Sequence, residues 1–330
     1  MSDFLFISYM AKFGYHASHE QFKPSALLEY AQAAETAGFN FISSSDHFYP
    51  WSDRQGESGF TWSWLGAAMQ ATSLPFGVVC APGQRYHPAI IAQAAATLAE
   101  MFPNRFWVAL GSGQALNEKI TGDRWPAKAE RNARLQECVD IIRALWAGET
   151  VTHYGLVRIE EAKLYTRPQI PPQIIGAAIT PATAEWLGGW ADGLITISHP
   201  YEKLKQVVEA FHRGGGEGKP MYLKVQISYA ANEATARQGA YEQWRTNIFQ
   251  SPVLSELRNP QQFDAMAEFV KPEDMDEHVR ISADPQQHIE WLQKYVELGF
   301  SELSLHNVNR EQQRFIEVFG EKVLPALTRK

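Results

Sequence analysis

The feature that most narrows the folds open to this chain is alternation: strand signal then helix signal, eight times over in 330 residues. Short apolar runs at 13–17, 39–45, 76–80, 105–111, 174–178, 194–198, 221–229 and 302–306 read as strands. Helical patterns fall between them, at 24–37, 62–71, 87–101, 128–147, 181–190, 201–212, 233–247, 285–298 and 310–327. Leu27, Leu28, Ala31 and Ala34 share one face of the first, and Gly38 stands where a C′ glycine closes a helix. Leu135, Val139, Ile142 and Leu145 mark the buried stripe of the helix at 128–147. Residues 149–165 read as a hairpin excursion turning at Tyr154-Gly155, RGGGEGKP (213–220) as a flexible turn, and 250–282 as a polar, irregular stretch.

Eight strands, each followed by a helix, is the count of a (β/α)8 barrel. The main rival, a doubly wound sheet, opens with a glycine fingerprint after its first strand. Here the first strand runs into YHASHEQF, and GSGQAL (111–116) offers only two of the three glycines, after the fourth strand. The α/β class with a closed barrel is therefore expected. Residues 10–330 read as one domain, with 250–282 inserted over the C-terminal mouth. Residues 1–9 read either as a peripheral extension or as sequence ahead of a true start at Met10.

Composition removes other classes. A chain this long buries roughly three quarters of its unfolded surface, so it needs no disulfide or metal staples. Charge is 30 − 37 = −7 with histidine neutral, and no lysine or arginine block stands out, which argues against a nucleic-acid partner. Cys80 and Cys138 lie far apart in apolar settings and suit buried packing better than a disulfide or zinc cluster. No stretch of about 18 apolar residues suggests a membrane span. The first residues lack a basic region and a cleavage site, so a cytoplasmic location is expected.

Active sites of such barrels sit at the C-terminal ends of the strands. Those ends are polar and aromatic here: HASHE (16–20), SSSDHFYPW (43–51), VVCAPGQRYHP (79–88), GSGQALNE (111–118), GAAIT (176–180), ISHP (197–200) and HNVN (306–309). Histidine is the side chain type that titrates near neutrality, and His47 stands beside Asp46, which would fix its tautomer, and near Trp51. A histidine bonded to backbone is the plainer alternative. His16 and His19 lack a third ligand, so no metal site is expected. Trp62 and Trp64 suit packing, Trp186 and Trp190 core or interface. Trp244 is a candidate roof for the pocket, and Arg85 and Tyr86 either hold a cofactor phosphate or fix their loop.

SDHFYPW, QRYHPAIIAQAAATLAEMFPNRFWVALGSG, ALNE and TGDRWP resemble the luciferase-like class of flavin- and deazaflavin-dependent oxidoreductases. Within it, the chain is most similar to the branch containing coenzyme F420-dependent glucose-6-phosphate dehydrogenase. The likeness runs from about Lys12 to Leu327 and includes GYHASHEQF, ADG (191–193) and SADP (282–285). It implies a barrel with an isoalloxazine-type ring in its mouth, backed by a non-prolyl cis peptide at Val78–Val79. It implies His47 for proton transfer, with Trp51 walling the site, Glu20 lining it and Gln114 in the turn after the fourth strand. Asp46, Ser112, Gly113 and Asn117 match cofactor contacts. Ile179, Thr180, Ala182 and Thr183 match the phosphate end, where free N–H groups of a helix N-terminus attract anions.

Four positions depart from that pattern. Gln114 stands where the sugar-phosphate dehydrogenases carry glutamate, and an amide cannot exchange a proton at neutral pH. Ile197, Pro200, Ala265 and His278 occupy the sugar-phosphate positions, which makes glucose 6-phosphate a poor expectation. Ile179-Thr180 replaces a diglycine that permits close backbone approach. Ala81 replaces a threonine. SDRQGESGFTWSWLGAAMQATS and SLPFGVVCAPGQRYHP resemble a side branch that uses ordinary flavin.

The expected protein is an FMN-type oxidoreductase acting on a small uncharged organic molecule, by hydride transfer or by oxygen-dependent monooxygenation. A flavin reductase is a candidate partner in the second case, and a homodimer is expected. The alternative is an F420-dependent dehydrogenase or reductase. A non-catalytic flavin-binding protein is the alternative of another class.

Overall fold

The computed structural model describes residues 11–328; the extension expected at 1–9 and the start at Met10 lie outside the described residues. The eight barrel strands are β1 (Lys12–Ala17), β2 (Phe41–Ser45), β3 (Phe76–Cys80), β4 (Phe106–Leu110), β5 (Gln173–Ala177), β6 (Gly193–Ile197), β7 (Met221–Ser228) and β8 (Glu302–Asn307). They pair in parallel and in chain order; β8 returns to β1, with Lys12 opposite Glu302, so the sheet has no open edge. A short strand, Arg280–Ile281, adds beside the end of β7. The hairpin excursion is present as Val151–Tyr154 against Arg158–Ala162.

Alternate residues of each strand face outward or inward. Outward, Phe13, Tyr15, Val78, Val108, Ile174, Leu194, Leu223 and Leu305 join the main core under the helices. Inward, Phe41, Trp107, Ala109, Ile175, Ile195 and Tyr222 plug the lower lumen. Trp107 and Tyr222 lie 5.1 Å apart, centre to centre. Two inward positions must be empty for these rings to fit. A Cβ on Gly14 would run into the Phe41 ring, and one on Gly77 into Trp107.

Above this floor the lumen is divided. His16, Ser43, Lys224, Ser304 and His306, from β1, β2, β7 and β8, make one side polar, with His16 Nδ1 3.0 Å from Ser43 Oγ. Val79, Ala109, Ala177 and Ile197, from β3 to β6, make the other side apolar.

Several local readings are corrected. All peptide bonds among the described residues are trans, Val78–Val79 included. The trans bond keeps β3 in register on both sides, Val78 opposite Ser44 and Val108, Val79 opposite Ser45 and Ala109. Residues 213–220 are not simply a flexible turn. The helix Tyr201–Phe211 continues into a wide turn, His212–Gly216. A Cβ on Gly214 would strike the Glu185 backbone, and one on Gly188 the Phe211 carbonyl, so these glycines let two helices touch. The last helix is two, Gln312–Val318 and Leu324–Thr328, joined by another wide turn. Among the described residues no helix is long and apolar enough to cross a membrane.

The floor makes Gly77 intolerant. Gly77→Ala should destabilise the protein by about 1–3 kcal/mol through overpacking. Gly66, in the helix Thr61–Ala71 with open space around it, should gain about 0.5–1 kcal/mol as alanine. Urea unfolding of both variants checks the contrast; equal effects would mean that Trp107 yields.

Candidate active site

The turn after β1 delivers Glu20, and the end of β2 delivers His47. Ser18 Oγ donates to Glu20 Oε2 at 2.8 Å, leaving Oε1 to lie 2.8 Å from His47 Nδ1. The contact is close, although the ring is imperfectly aligned for an N–H donor. Burial alone would raise the Glu20 carboxyl. The charge and hydrogen bond of His47, then the charge of Lys224, outweigh it and hold the group well below the usual carboxylate range. Trp51 meets the His47 ring edge-on, 5.0 Å between centres, and Phe263 backs Trp51 at 5.3 Å.

The loop carrying His47 and Trp51 is tied at many points. Ser58 Oγ donates to the His47 carbonyl at 3.0 Å, and Thr61 Oγ1 to the Ser45 carbonyl at 3.0 Å. Asn117 Oδ1 accepts the Phe48 N–H at 2.9 Å. The Trp51 N–H donates to Gln55 Oε1 at 2.8 Å. The stretch at 250–282 does close over this mouth. Phe263, Leu254 and Leu257 pack with Trp51, Tyr49 and Leu116, and Asp264 Oδ1 accepts from Ser52 Oγ at 2.7 Å.

Asp46 does not serve His47. Its Oδ2 accepts from Arg85 Nη2 at 2.9 Å, and its carbonyl from the same nitrogen at 2.8 Å. The Arg85 backbone N–H donates to Glu118 Oε2 at 2.8 Å, and the guanidinium stacks 4.4 Å from the Tyr86 ring centre. Arg85 thus links two buried carboxylates from different strand ends rather than standing on the rim. Asp46 Oδ1 is buried and has no hydrogen-bond partner among the described residues.

The other expected contacts are distributed unevenly. Val79 faces the lumen, whereas Val78 belongs to the outer core. Ser112 Oγ accepts from Lys128 Nζ at 2.6 Å, and burial, with the charge of Arg131, lowers that lysine to about 8. Gly113 has φ +79°, and a Cβ there would press on Glu118 at 2.8 Å. Gln114 opens the short helix Ala115–Glu118, and its side-chain amide makes no hydrogen bond among the described residues. Thr180 caps the helix Pro181–Gly188: its Oγ1 accepts the Thr183 N–H at 3.4 Å and donates to Thr183 Oγ1 at 3.0 Å. Ile179 and Ala182 flank this cap. Phe269 is 85% exposed, whereas Phe263 is wholly buried against Trp51.

Of the sugar-phosphate positions, Ile197 ends β6 and Pro200 caps Tyr201–Phe211. His278 is pushed down by burial, with Lys203 and Arg280 adding to it against Glu277. Its neighbour His199 is lowered to about 4 by burial and by Lys203 and His278. Lys203 is thus a cation there that sequence spacing did not suggest.

The residue missed outright is Lys224. Its signal is visible in MYLKVQIS: a single lysine inside an apolar strand that must be buried on both faces.

The barrel mouth thus sets the His47 imidazole against a carboxylate and beside a tryptophan wall. A family model described as luciferase-like monooxygenase matches residues 5–302, and the chain belongs to that family of oxidoreductases. An F420-dependent glucose-6-phosphate dehydrogenase from Nakamurella multipartita is 36% identical over 328 residues, 96% of each chain. The protein of the same description from Mycobacterium tuberculosis is 34% identical over 331 residues, 96% of this chain and 98% of that one. An F420-dependent secondary alcohol dehydrogenase, solved in complex with an F420-acetone adduct, superposes with TM-score 0.90 at 29% identity, covering 97% of this chain and 99% of that chain. All three of these proteins are described as F420-dependent.

The buried histidines set an acid limit on the fold. His19, edge-on to Trp64, is lowered to about 4 by burial, which Glu20 opposes; His288, elsewhere in the core, is lowered to about 4 by burial too. Unfolded, each binds a proton below about 6.5; folded, it does so only near 4. The unfolded state therefore holds more protons between these values, and stability falls as pH falls through that window. Each histidine should remove about 2 kcal/mol between pH 7.5 and pH 5. Urea midpoints across that range check it, and His288→Phe should flatten the slope; a flat wild-type curve would contradict it.

Proposed function

We propose that this protein is a coenzyme F420-dependent oxidoreductase that interconverts a small, uncharged alcohol and its carbonyl compound. The observation that carries the reading is the Glu20–His47 contact at 2.8 Å, walled by Trp51. With Nδ1 against Glu20, the other ring nitrogen is the one left for substrate. In the oxidising direction His47 Nε2 takes the hydroxyl proton, and Glu20 stabilises the imidazolium so formed. In the reducing direction the same nitrogen returns the proton to the carbonyl oxygen. Trp51, fixed by Phe263, keeps water from the reacting oxygen.

The residues present suit the deazaflavin. Asp46 Oδ1 is a buried acceptor that lacks a donor among the described residues, and the Val79–Ala109–Ala177–Ile197 side offers an apolar wall to a flat ring. Bound there, the deazaflavin supplies hydride transfer at a ring carbon without the oxygen chemistry of a flavin. This reading needs no flavin reductase as partner. The pair of Glu20 and His47 speaks for catalysis rather than for cofactor storage.

The substrate class follows from what surrounds the mouth. A phosphate dianion needs convergent donors. Ile197, Pro200 and Ala265 offer none, and burial favours the neutral form of His278. The cations left nearby are Lys203 and Arg280, whose Nε already donates to Tyr295 Oη at 2.9 Å.

Fluorescence titration should show F420 binding about tenfold or more tightly than FMN, a difference of about 1.4 kcal/mol. Preference for FMN would reverse the cofactor; binding of neither would remove the reading. His47→Ala should lower turnover by roughly 10²–10⁴-fold with cofactor affinity nearly unchanged. Turnover that survives while binding collapses would make His47 a binding residue. Secondary alcohols such as 2-propanol should be turned over in preference to glucose 6-phosphate, and Gln114→Glu should not create sugar-phosphate activity. Efficient oxidation of glucose 6-phosphate by the wild type would show the clamp to be complete.

A further inference from the structure

Lys224 stands on β7 between two inward neighbours with settled roles. Below it Tyr222 belongs to the lumen plug; above it Gln226 Oε1 accepts from Ser198 Oγ at 2.6 Å. Strand alternation therefore turns the Lys224 side chain into the lumen, level with Ser304 of β8 and Ile197 of β6. Among the described residues its ammonium makes no hydrogen bond and no ion pair within 4.0 Å; it sits 5.7 Å from the centre of the Trp244 ring. The side chain is half-buried, so its charge is neither sealed from water nor held by a partner. Trp244 is in turn edge-on to His306 at 4.9 Å, and His306 lies 4.6 Å from His16.

The groups that face this ammonium are few. β1 presents His16, the turn after it presents Glu20, and β8 presents His306 with Ser304. The end of the helix Glu233–Trp244 presents Trp244, and β6 presents the uncharged Ile197. Burial first, then Lys224 itself, pushes both His16 and His306 well below their ordinary value, so both are neutral near pH 7. The negative charge within its influence is Glu20, which also faces His47 and His19.

We propose that Lys224 is a positioning residue of the proton-transfer site, acting through Glu20. It shares the Glu20 charge with His47, keeping the carboxylate ionised and aimed at Nδ1 without locking the imidazole in its protonated form. The proposal rests on the oxidoreductase reading for its rate consequences, but the charge coupling exists without substrate or cofactor. Burial, opposed by Glu20, brings Lys224 down to about 8, so its charge is lost in an accessible range.

The test has two arms. The first is histidine ring NMR on the protein without cofactor, with the His47 signal assigned by its disappearance in His47→Ala. In the wild type that signal should show a step near pH 8, as Lys224 loses its proton. The step should vanish in Lys224→Met and move beyond the alkaline end of the titration in Lys224→Arg. The second arm is the pH profile of kcat/KM for alcohol oxidation. Lys224→Met should move the acid limb up by about one pH unit, a roughly tenfold loss on that side, and Lys224→Arg should restore it. A loss in Lys224→Met that is the same at every pH, or a step that persists in it, overturns the proposal. If Lys224→Met does not fold, an Arg variant whose step stays near pH 8 overturns it equally. A correct NMR step with no turnover of any alcohol would defeat the proposed function and leave the coupling standing.

Discussion

The contact between Glu20 and His47 joins the ends of two neighbouring strands, and it exists only while β1 and β2 keep their register. Ala17 pairs with Ser44, so the turn leaving β1 and the loop leaving β2 emerge side by side. The rest of the mouth maintains that geometry. Ser18 orients the second carboxylate oxygen, Ser58 and Asn117 fix the loop backbone, and Trp51 is pressed from behind by Phe263 of the 250–282 segment. A site built from strand ends inherits the rigidity of the barrel, while the inserted segment supplies only the outer wall.

A second buried ion system stands beside the first and has a different task. Arg85 reaches from the loop after β3 to Asp46 at the end of β2 and to Glu118 beyond β4. The Arg85 guanidinium lies nearer Asp46, at 2.9 Å, than Glu118, at 3.6 Å, and burial raises the Glu118 carboxyl more than Arg85 lowers it. Removing Arg85 would leave two buried carboxylates without their counter-charge, which is costlier than losing the pair itself. The network thus ties three adjacent strand ends together and leaves Asp46 Oδ1 without a donor among the described residues.

Much of this was legible in the residues. The strand–helix count yields the barrel because its apolar runs are short and punctuated, and the helix Lys128–Ala147 falls where its stripe puts it. His47, Trp51 and Glu20 stand at strand ends and do come together. The partner of His47 was misread as Asp46, because adjacency in sequence says nothing of direction: neighbours on an extended segment point to opposite sides. Lys224 was passed over because strand reading rewards apolar runs and ignores the single exception within one. The choice of FMN leaned on Ile179-Thr180, yet Thr180 has a local reason to be there as the helix cap that bonds Thr183. A substitution explained by capping carries little information about a cofactor.

Gln114 and Lys224 make sense together in terms of charge. Gln114 adds no charge to the turn after β4, and Lys224 adds one to the lumen. In the proposed coupling the ionised Glu20 feels two cationic groups, one on β7 and one that gains and loses its charge with each turnover. When His47 is neutral, Glu20 and Lys224 cancel; when it is protonated, the site carries a single positive charge, suited to steadying a developing alkoxide. A substrate that brought its own negative charge would disturb this balance in both states, whereas a neutral alcohol or ketone disturbs it in neither.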